Sequence, residues 1–509
     1  MYHTNIIEYL ELSAPEYTDK LAFSDGADSL SFGELYDASR RTGSFLSDKG
    51  YIREPIALMM GKHPDTVAAM LGVVSAGCFY TCLDPDMPKQ RVELILEKLS
   101  PRAIIYDEEN RERAEGLSCA AAMYPYTAAR GFSADAGRLM WVRSQMLDTD
   151  PVYVVFTSGS TGEPKGVVAS HRSVIDYTET LCEALGFSDK TVFGNQAPLC
   201  FDAPLKDIMP TLKLGATTYL IPKKLFISPV RLCKFLDEHG INTVCWVASA
   251  LMLISASGAL EKFRPRHLEL VCFGSEVFPV AEYKKWRAAY PGARFVNLYG
   301  PTEATGMSCY WIADRELDES ERIPIGRPFR NTQILLLGDD LSPVPDGERG
   351  EIFIRGSCLT LGYFGDLERT GRAFVQNPLN DNFPELVYRT GDIGRKNSYG
   401  ELEFICRADG QIKLMGHRIE LGEIEAAAEG ICGVSRSAAV FDGERRRIFL
   451  YFTGTCEESE VIARLKERLP RYMIPRRAYR LDAMPTTQSG KLDRRALMGL
   501  FSANDKNGD

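Results

Sequence analysis

Short apolar runs alternate with longer segments of helical character over much of the chain. "PIALMM" precedes "HPDTVAAMLGVVSAG", "TTYLIP" precedes "SPVRLCKFLDEHG", "INTVCWV" precedes "SALMLISASGAL", and "LELVCFG" precedes "VAEYKKWRAAYPG". This strand–helix rhythm predicts parallel sheets covered by helices. After about Ile323 the rhythm changes. "TQILLLGDD", "RGEIFIRG" and "GELEFIC" are short runs cut by the turn-forming stretches "PVPDGERG" and "NSYG", which predicts a β-rich segment. From about residue 410 a further pattern begins, with "HRIELGEIEAAAEG", "SAAVFDG", "RIFLYFTG" and "ESEVIARLKERLP". Its length of about 100 residues is that of a small α+β domain. With 509 residues the chain exceeds what one hydrophobic core organises. The expected class is α/β: a large domain of helix-flanked sheets with a β-rich subdomain over 1–408, then a small α+β domain over 409–509.

Composition narrows the classes of partner. The chain is 45% hydrophobic and 25% charged, with a net charge of −9. Its positive residues are scattered, which argues against nucleic acid or an acidic membrane surface as the main partner. The 13 cysteines form no CxxC pair, and several, such as Cys245 and Cys272, sit in apolar runs. That pattern fits a reducing compartment and speaks against a zinc site. The N-terminus shows no basic segment followed by an apolar run, and no stretch of about 18 apolar residues occurs. A cytoplasmic protein is expected.

The first chemistry lies in "VVFTSGSTGEPKGVVASHR", residues 154–172. Thr157, Ser158, Gly159, Ser160, Thr161, Gly162, Pro164, Lys165 and Gly166 follow an apolar, strand-like lead. Glycines let backbone N–H groups approach a polyphosphate, hydroxyls donate to it, and a lysine adds compact positive charge. The P-loop pattern is absent, because Gly166 follows Lys165 where Ser or Thr would stand. Taken alone, the run fits either a phosphate cradle or a solvated loop.

Other stretches bear on that choice. "LDPDMPKQR" (83–91), "NLYGPTEAT" (297–305), "GEIFIRG" with "LGYF" (350–364), "YRTGD" (388–392), "GQIKLMGHRIELGEIE" (410–425) and "SGKLDRRAL" (489–497) occur in order. With "SGSTGEPKG", this set resembles the adenylate-forming superfamily, and within it the amino-acid adenylation domains of nonribosomal peptide synthetases. The likeness runs over roughly residues 8 to 497. It implies an enzyme that joins a carboxylic acid to ATP, releases pyrophosphate, and passes the acyl group to a thiol, with ATP and Mg2+ required.

The resemblance also implies roles. The 157–166 loop would hold the β- and γ-phosphates, with Lys165 in the clamp. Tyr299 would stack on adenine, with Gly274 and Gly300 beside the nucleotide. Thr302 would touch the α-phosphate and Glu303 would hold Mg2+, a cation that favours carboxylate and phosphate oxygens. Asp392 would accept from the ribose hydroxyls, and Arg407 would support the same nucleotide. Lys491 would reach the substrate carboxylate and the adenylate oxygens as charge builds. The small domain would be mobile, pivoting at Asp409 next to Gly410 and bringing "KLMGHR" (413–418) to the site for the second step.

For the acid, "CFDAPLKDIMPTL" (200–212) resembles a pocket motif whose aspartate, Asp202 here, pairs with a substrate α-ammonium. Pro204 departs from the serine usual there. Further pocket positions match Ala203, Lys206, Ser249, Val271, Phe273, Leu298, Gly306 and Met307. Lys206 has two readings. Either it recognises a second substrate carboxylate, as in some glutamate-activating domains, or it pairs with Asp202 or Asp207 or extends to water. Phe273, Leu298 and Met307 favour a modest side chain, and "FGSEVFP" also resembles D-alanine–carrier protein ligases. The expected function is a stand-alone, monomeric amino acid–carrier protein ligase that loads a phosphopantetheinylated carrier in trans. A D-alanine–carrier protein ligase, an acyl-coenzyme A ligase, an amide-bond ligase and a silent nucleotide-binding regulator are the rivals.

Overall fold

The computed structural model describes residues 3–159, 163–408, 411–443, 445–485, 492–494, 496–498 and 500. The chain divides into two compact units. The larger comprises Met1–Pro85, Leu99–Phe156 and Gly166–Ala408; the smaller comprises Asp86–Lys98, Thr157–Lys165 and Asp409–Asp509.

The larger unit is built on three sheets. A nine-stranded sheet has a parallel centre in which Leu270–Gly274 lies between Thr243–Val247 and Arg294–Tyr299. Val192–Asn195 and Thr217–Leu220 continue it in parallel, and on the other side Cys309–Ile312 and then Arg327–Pro328 add antiparallel strands. These runs read as strands because they are apolar on both faces, as a sheet covered by helices requires. Each expected helix follows its strand: Pro229–Glu238 after Thr217–Leu220, Ala248–Ala256 after Thr243–Val247, and Val280–Ala289 after Leu270–Gly274.

In a six-stranded sheet, Pro55–Met59 pairs in parallel with Ala103–Tyr106 and Phe79–Cys82, and Pro151–Thr157 and Lys165–Ser170 extend the same sheet. Pro64–Ser75 is the expected helix after Pro55–Met59. Pro64 suits its first position, where no N–H is needed, and His63 caps it by accepting from the Asp65 N–H. The β-rich segment is a five-stranded antiparallel sheet of Thr332–Leu337, Gly350–Gly356, Leu386–Lys396, Phe374–Gln376 and Leu402–Arg407.

In the smaller unit, a hairpin of Gln411–Leu414 and His417–Glu420 turns through Met415 and Gly416, both at positive φ. Val434–Asp442, Arg447–Gly454 and Arg477–Arg480 form a three-stranded sheet. Helices Leu421–Glu429 and Glu458–Arg468 supply Ile424, Val461 and Leu465 to a core with Ile448, Leu450 and Phe452. The fold is the mixed α/β arrangement that the pattern predicted. Among the described residues, no helix is long and apolar enough to cross a membrane.

Candidate functional site

The strand Arg294–Tyr299 of the nine-stranded sheet runs into Gly300, Pro301 and the single turn Thr302–Ala304. Two glycines allow this sharp path. A Cβ on Gly300 would lie 2.6 Å from the Gly306 carbonyl oxygen, and one on Gly274 would lie 2.2 Å from the Leu298 carbonyl oxygen. Backbone cannot yield at such distances, so both positions admit only glycine. Gly306 itself has φ +91°, and a Cβ there would face Asp202 at 3.7 Å from its carboxylate. Loop 300–306 and Asp202 are therefore neighbours.

Tyr299 is buried and donates its hydroxyl to Asp392 Oδ2 at 2.6 Å. Arg407 Nη1 donates to Asp392 Oδ1 at 2.7 Å, the two residues being partners across adjacent antiparallel strands. Asp392 is only 2% exposed, and each of its oxygens has a donor, as a buried carboxylate needs. Thus Tyr299, Asp392 and Arg407, far apart in sequence, form one cluster.

Glu303 is fully buried (0% exposed). Tyr363 donates its hydroxyl to Glu303 Oε1 at 2.7 Å, while the Thr360 N–H and hydroxyl both donate to the Glu303 carbonyl at 3.0 Å. The 360–364 segment is fixed in turn. Leu361 N–H donates to the Val168 carbonyl, Val168 N–H to that of Gly362, and Phe364 N–H to that of Gly166. Tyr363 was missed as an individual residue, although "LGYF" marked its segment. The hard oxygen donors of Glu303 fit a magnesium ion. Thr302, next to Glu303, is partly exposed.

Asp202 accepts the Leu205 N–H on its carbonyl at 3.0 Å, and Pro204 precedes helix Leu205–Leu214 with φ −60°. Proline locks that angle, so the departure from serine suits a helix start. Lys206 lies one turn beyond Asp202 and is 4% exposed. Among the described residues, no carboxylate comes within ion-pairing distance of its ammonium; Asp207 instead accepts from Asn195 Nδ2 at 2.7 Å. Neither of the ion pairs weighed for Lys206, with Asp202 or with Asp207, is formed. Burial raises the Asp207 carboxyl to about 6, with Asn195, Lys206 and Lys62 opposing. Ser249 N–H donates to Glu276 at 2.9 Å, a contact that no motif signalled.

The remaining pocket positions divide. Leu298 and Met307 pack in one core cluster with Ile208 and Met209. Val271 and Phe273 belong to another, where the Phe273 ring meets Phe278 at 4.9 Å. The register explains this: Gly274 is beside Leu298, and Phe273 beside Asn297, so Phe273 and Leu298 point to opposite faces. The structure does not gather Phe273 with Leu298 and Met307.

Within the smaller unit, Ser158 donates its hydroxyl to the Arg418 carbonyl at 2.6 Å, and Gly159 N–H donates to Glu423 at 3.2 Å. Arg91, also buried, pairs with Glu423. Burial pushes the Glu423 carboxyl up to about 7, against Arg91 and the Gly159 N–H. The hydroxyl of Thr157 is buried without a hydrogen-bond partner among the described residues. Lys165 opens the strand Lys165–Ser170. Ser160, Thr161, Gly162, Asp409 and Lys491 lie outside the described residues.

Comparison with known proteins bears directly on this arrangement. The L-proline--[L-prolyl-carrier protein] ligase of Pseudomonas fluorescens is 31% identical over 497 residues, covering 95% of this chain and 97% of that protein. Bacitracin synthase 1 of Bacillus licheniformis is 31% identical over 499 residues; the match covers 96% of this chain but only 9% of that protein, so the chain spans a small part of that synthase. The crystal structure of IdnL1 superposes with a TM-score of 0.81 at 28% identity, over 95% of this chain and 100% of the other. The family model described as AMP-binding enzyme matches residues 10–364. With the glycine-dependent turn and the buried glutamate inside that span, the chain belongs to the AMP-binding enzyme family, as an adenylation domain.

Proposed function

We propose that the chain activates an amino acid bearing a side-chain carboxylate and transfers it to the phosphopantetheine thiol of a separate carrier protein. In the first step, a carboxylate oxygen of the amino acid attacks the α-phosphorus of ATP, and the bond to the bridging oxygen breaks as pyrophosphate leaves. In the second, the carrier thiolate attacks the acyl carbon, and the bond to AMP breaks. Both steps bring like charges together, so orientation and positive charge are what the protein must supply.

The observation that carries the choice of acid is Lys206: a side chain only 4% exposed, one helical turn from Asp202, with no carboxylate in ion-pairing distance among the described residues. An incoming carboxylate would give this ammonium the direct partner that no side chain of the described residues supplies. Asp202 would meanwhile take the α-ammonium. The likeness to a prolyl-carrier protein ligase over nearly its whole length supports a carrier thiol as acceptor.

The other roles complete the reading. The 157–166 loop, including Ser160, Thr161 and Gly162, would cradle phosphates. Asp392 and Arg407 would hold the ribose, and Tyr299 the adenine. Glu303 would hold Mg2+, which when bound offsets charge on the phosphates. Residues 409–509 would swing about Asp409 to deliver Lys491. A small amino acid such as D-alanine is the second reading, favoured by the bulk of Leu298 and Met307, both buried in one cluster.

The test is amino-acid-dependent pyrophosphate release across the proteinogenic acids and D-alanine, repeated with Lys206→Ala. Release with glutamate or aspartate that is lost in the variant supports the acidic reading. Preference for D-alanine that survives the substitution replaces it with the second.

A further inference from the structure

Lys62 stands in the loop between the strand Pro55–Met59 and the helix Pro64–Ser75. Its ammonium donates to three backbone carbonyls: Asn195 at 2.9 Å, Gln196 at 3.0 Å and Ile221 at 3.1 Å. An ammonium has three N–H bonds. All three are spent, so Lys62 keeps no donor for a phosphate or a carboxylate, and whatever it does must act through the groups it holds.

Those groups lie at one place in the fold. Asn195 ends the strand Val192–Asn195 and is in register with Leu220, the last residue of Thr217–Leu220. Ile221 follows Leu220, and its N–H donates to the same Asn195 carbonyl at 3.0 Å. Lys62 follows a strand of the six-stranded sheet yet fastens the C-terminal ends of two strands of the nine-stranded one. Gln196 then opens the segment that reaches Asp202 and the helix carrying Lys206. The side chain of Asn195 ties back to that helix at Asp207. One cation therefore holds the root of the segment that carries both charged pocket residues, and Asn195 braces its far end. Burial draws the Lys62 ammonium down to about 7 while the Asp207 charge opposes the shift. An arginine, charged throughout the working range, is thus the informative conservative replacement.

We propose that Lys62 is a positioning residue for the amino acid substrate: by fixing the start of the 195–207 segment it sets where Asp202 and Lys206 stand, without touching substrate. The inference rests on reading Asp202 and Lys206 as substrate contacts. A lysine that merely stabilised the junction of the two sheets would not single out one substrate.

The experiment measures KM for the amino acid, KM for ATP and kcat by pyrophosphate release, using wild type, Lys62→Met and Lys62→Arg and the amino acid that wild type prefers. Lys62→Met is expected to raise the amino-acid KM about tenfold or more, with the ATP KM within about twofold. Lys62→Arg, which keeps charged donors, should recover most of the loss. An unchanged amino-acid KM in folded Lys62→Met, a parallel rise in both KM values, or an arginine variant no better than methionine would each overturn the proposal. If Lys62→Met does not fold, Lys62→Gln, which retains an amide donor, carries the same comparison. A wild type that turns over no amino acid overturns the reading of the pocket and this proposal with it. An active wild type whose amino-acid KM ignores Lys62 overturns this proposal alone.

Discussion

Tyr299 and Asp392, 93 positions apart in sequence, share a buried hydrogen bond of 2.6 Å. Tyr299→Phe removes the donor and leaves one oxygen of a buried carboxylate to Arg407 and its surroundings. Unmaking such a bond costs about 1–3 kcal/mol. The variant should unfold at lower denaturant by that amount and show an ATP KM raised several-fold. Wild-type stability and wild-type ATP KM together would reject the assigned importance of this pair.

Glu303 is held by Tyr363 and is proposed to hold the metal. Glu303→Gln should lower kcat by about tenfold or more and shift the Mg2+ dependence of pyrophosphate release to higher concentration. Tyr363→Phe, which keeps the carboxylate, should have a smaller effect of the same kind. A Mg2+ titration decides: identical curves for wild type and Glu303→Gln would remove Glu303 from the metal site.

Glu423 should make the stability of the chain depend on pH. Its carboxyl is raised from 4.5 to about 7 by burial, with Arg91 and the Gly159 N–H only partly offsetting this. The folded chain therefore binds this proton more tightly than the unfolded one does. Stability contributed by the group is largest below about pH 4.5, falls as pH rises toward about 7, and is flat above. Glu423→Gln removes the titration, whereas Asp207, also raised, is common to both proteins. Thermal midpoints of the pair, compared from about pH 5 to about pH 8, should show wild type losing ground to the variant until about pH 7. A difference independent of pH would refute this.

Gly300→Ala should damage the fold around the site. The added carbon would lie 2.6 Å from the Gly306 oxygen, the Met307 Cα and the Ser308 nitrogen, all backbone atoms. A loss of about 2 kcal/mol or more is expected in denaturant unfolding, because these neighbours cannot rotate away.

Lys491→Ala should depress adenylate formation strongly while sparing thioester formation from supplied aminoacyl adenylate. Equal loss in both half-reactions would remove Lys491 from its assigned role.

Much of this was legible in the sequence. Runs such as "LELVCFG" identify themselves because a strand covered on both faces must be apolar throughout. The motif glycines 274 and 300 likewise stand where close backbone approach admits no side chain. What stayed hidden depends on register and on distant pairing. Phe273 and Leu298 match positions of one pocket, yet the pairing of Gly274 with Leu298 turns Phe273 to the other face. Lys206 had two readings because spacing along a helix permits an ion pair without making one. Lys62 gave no signal at all, since its partners are carbonyls, which every residue has.

The attachment of Glu303 at both ends has a bearing on how sequences of this kind can vary. Its main chain is anchored through Thr360 and its acid tip through Tyr363, so the spacing from 360 to 363 is a ruler. Lengthening the exposed turn at Asp339–Leu341 leaves that ruler untouched. Removing one amino acid between Gly356 and Tyr363 would swing the phenol away from the acid, and the chain would keep its architecture while the Glu303 carboxylate lost the partner that orients it.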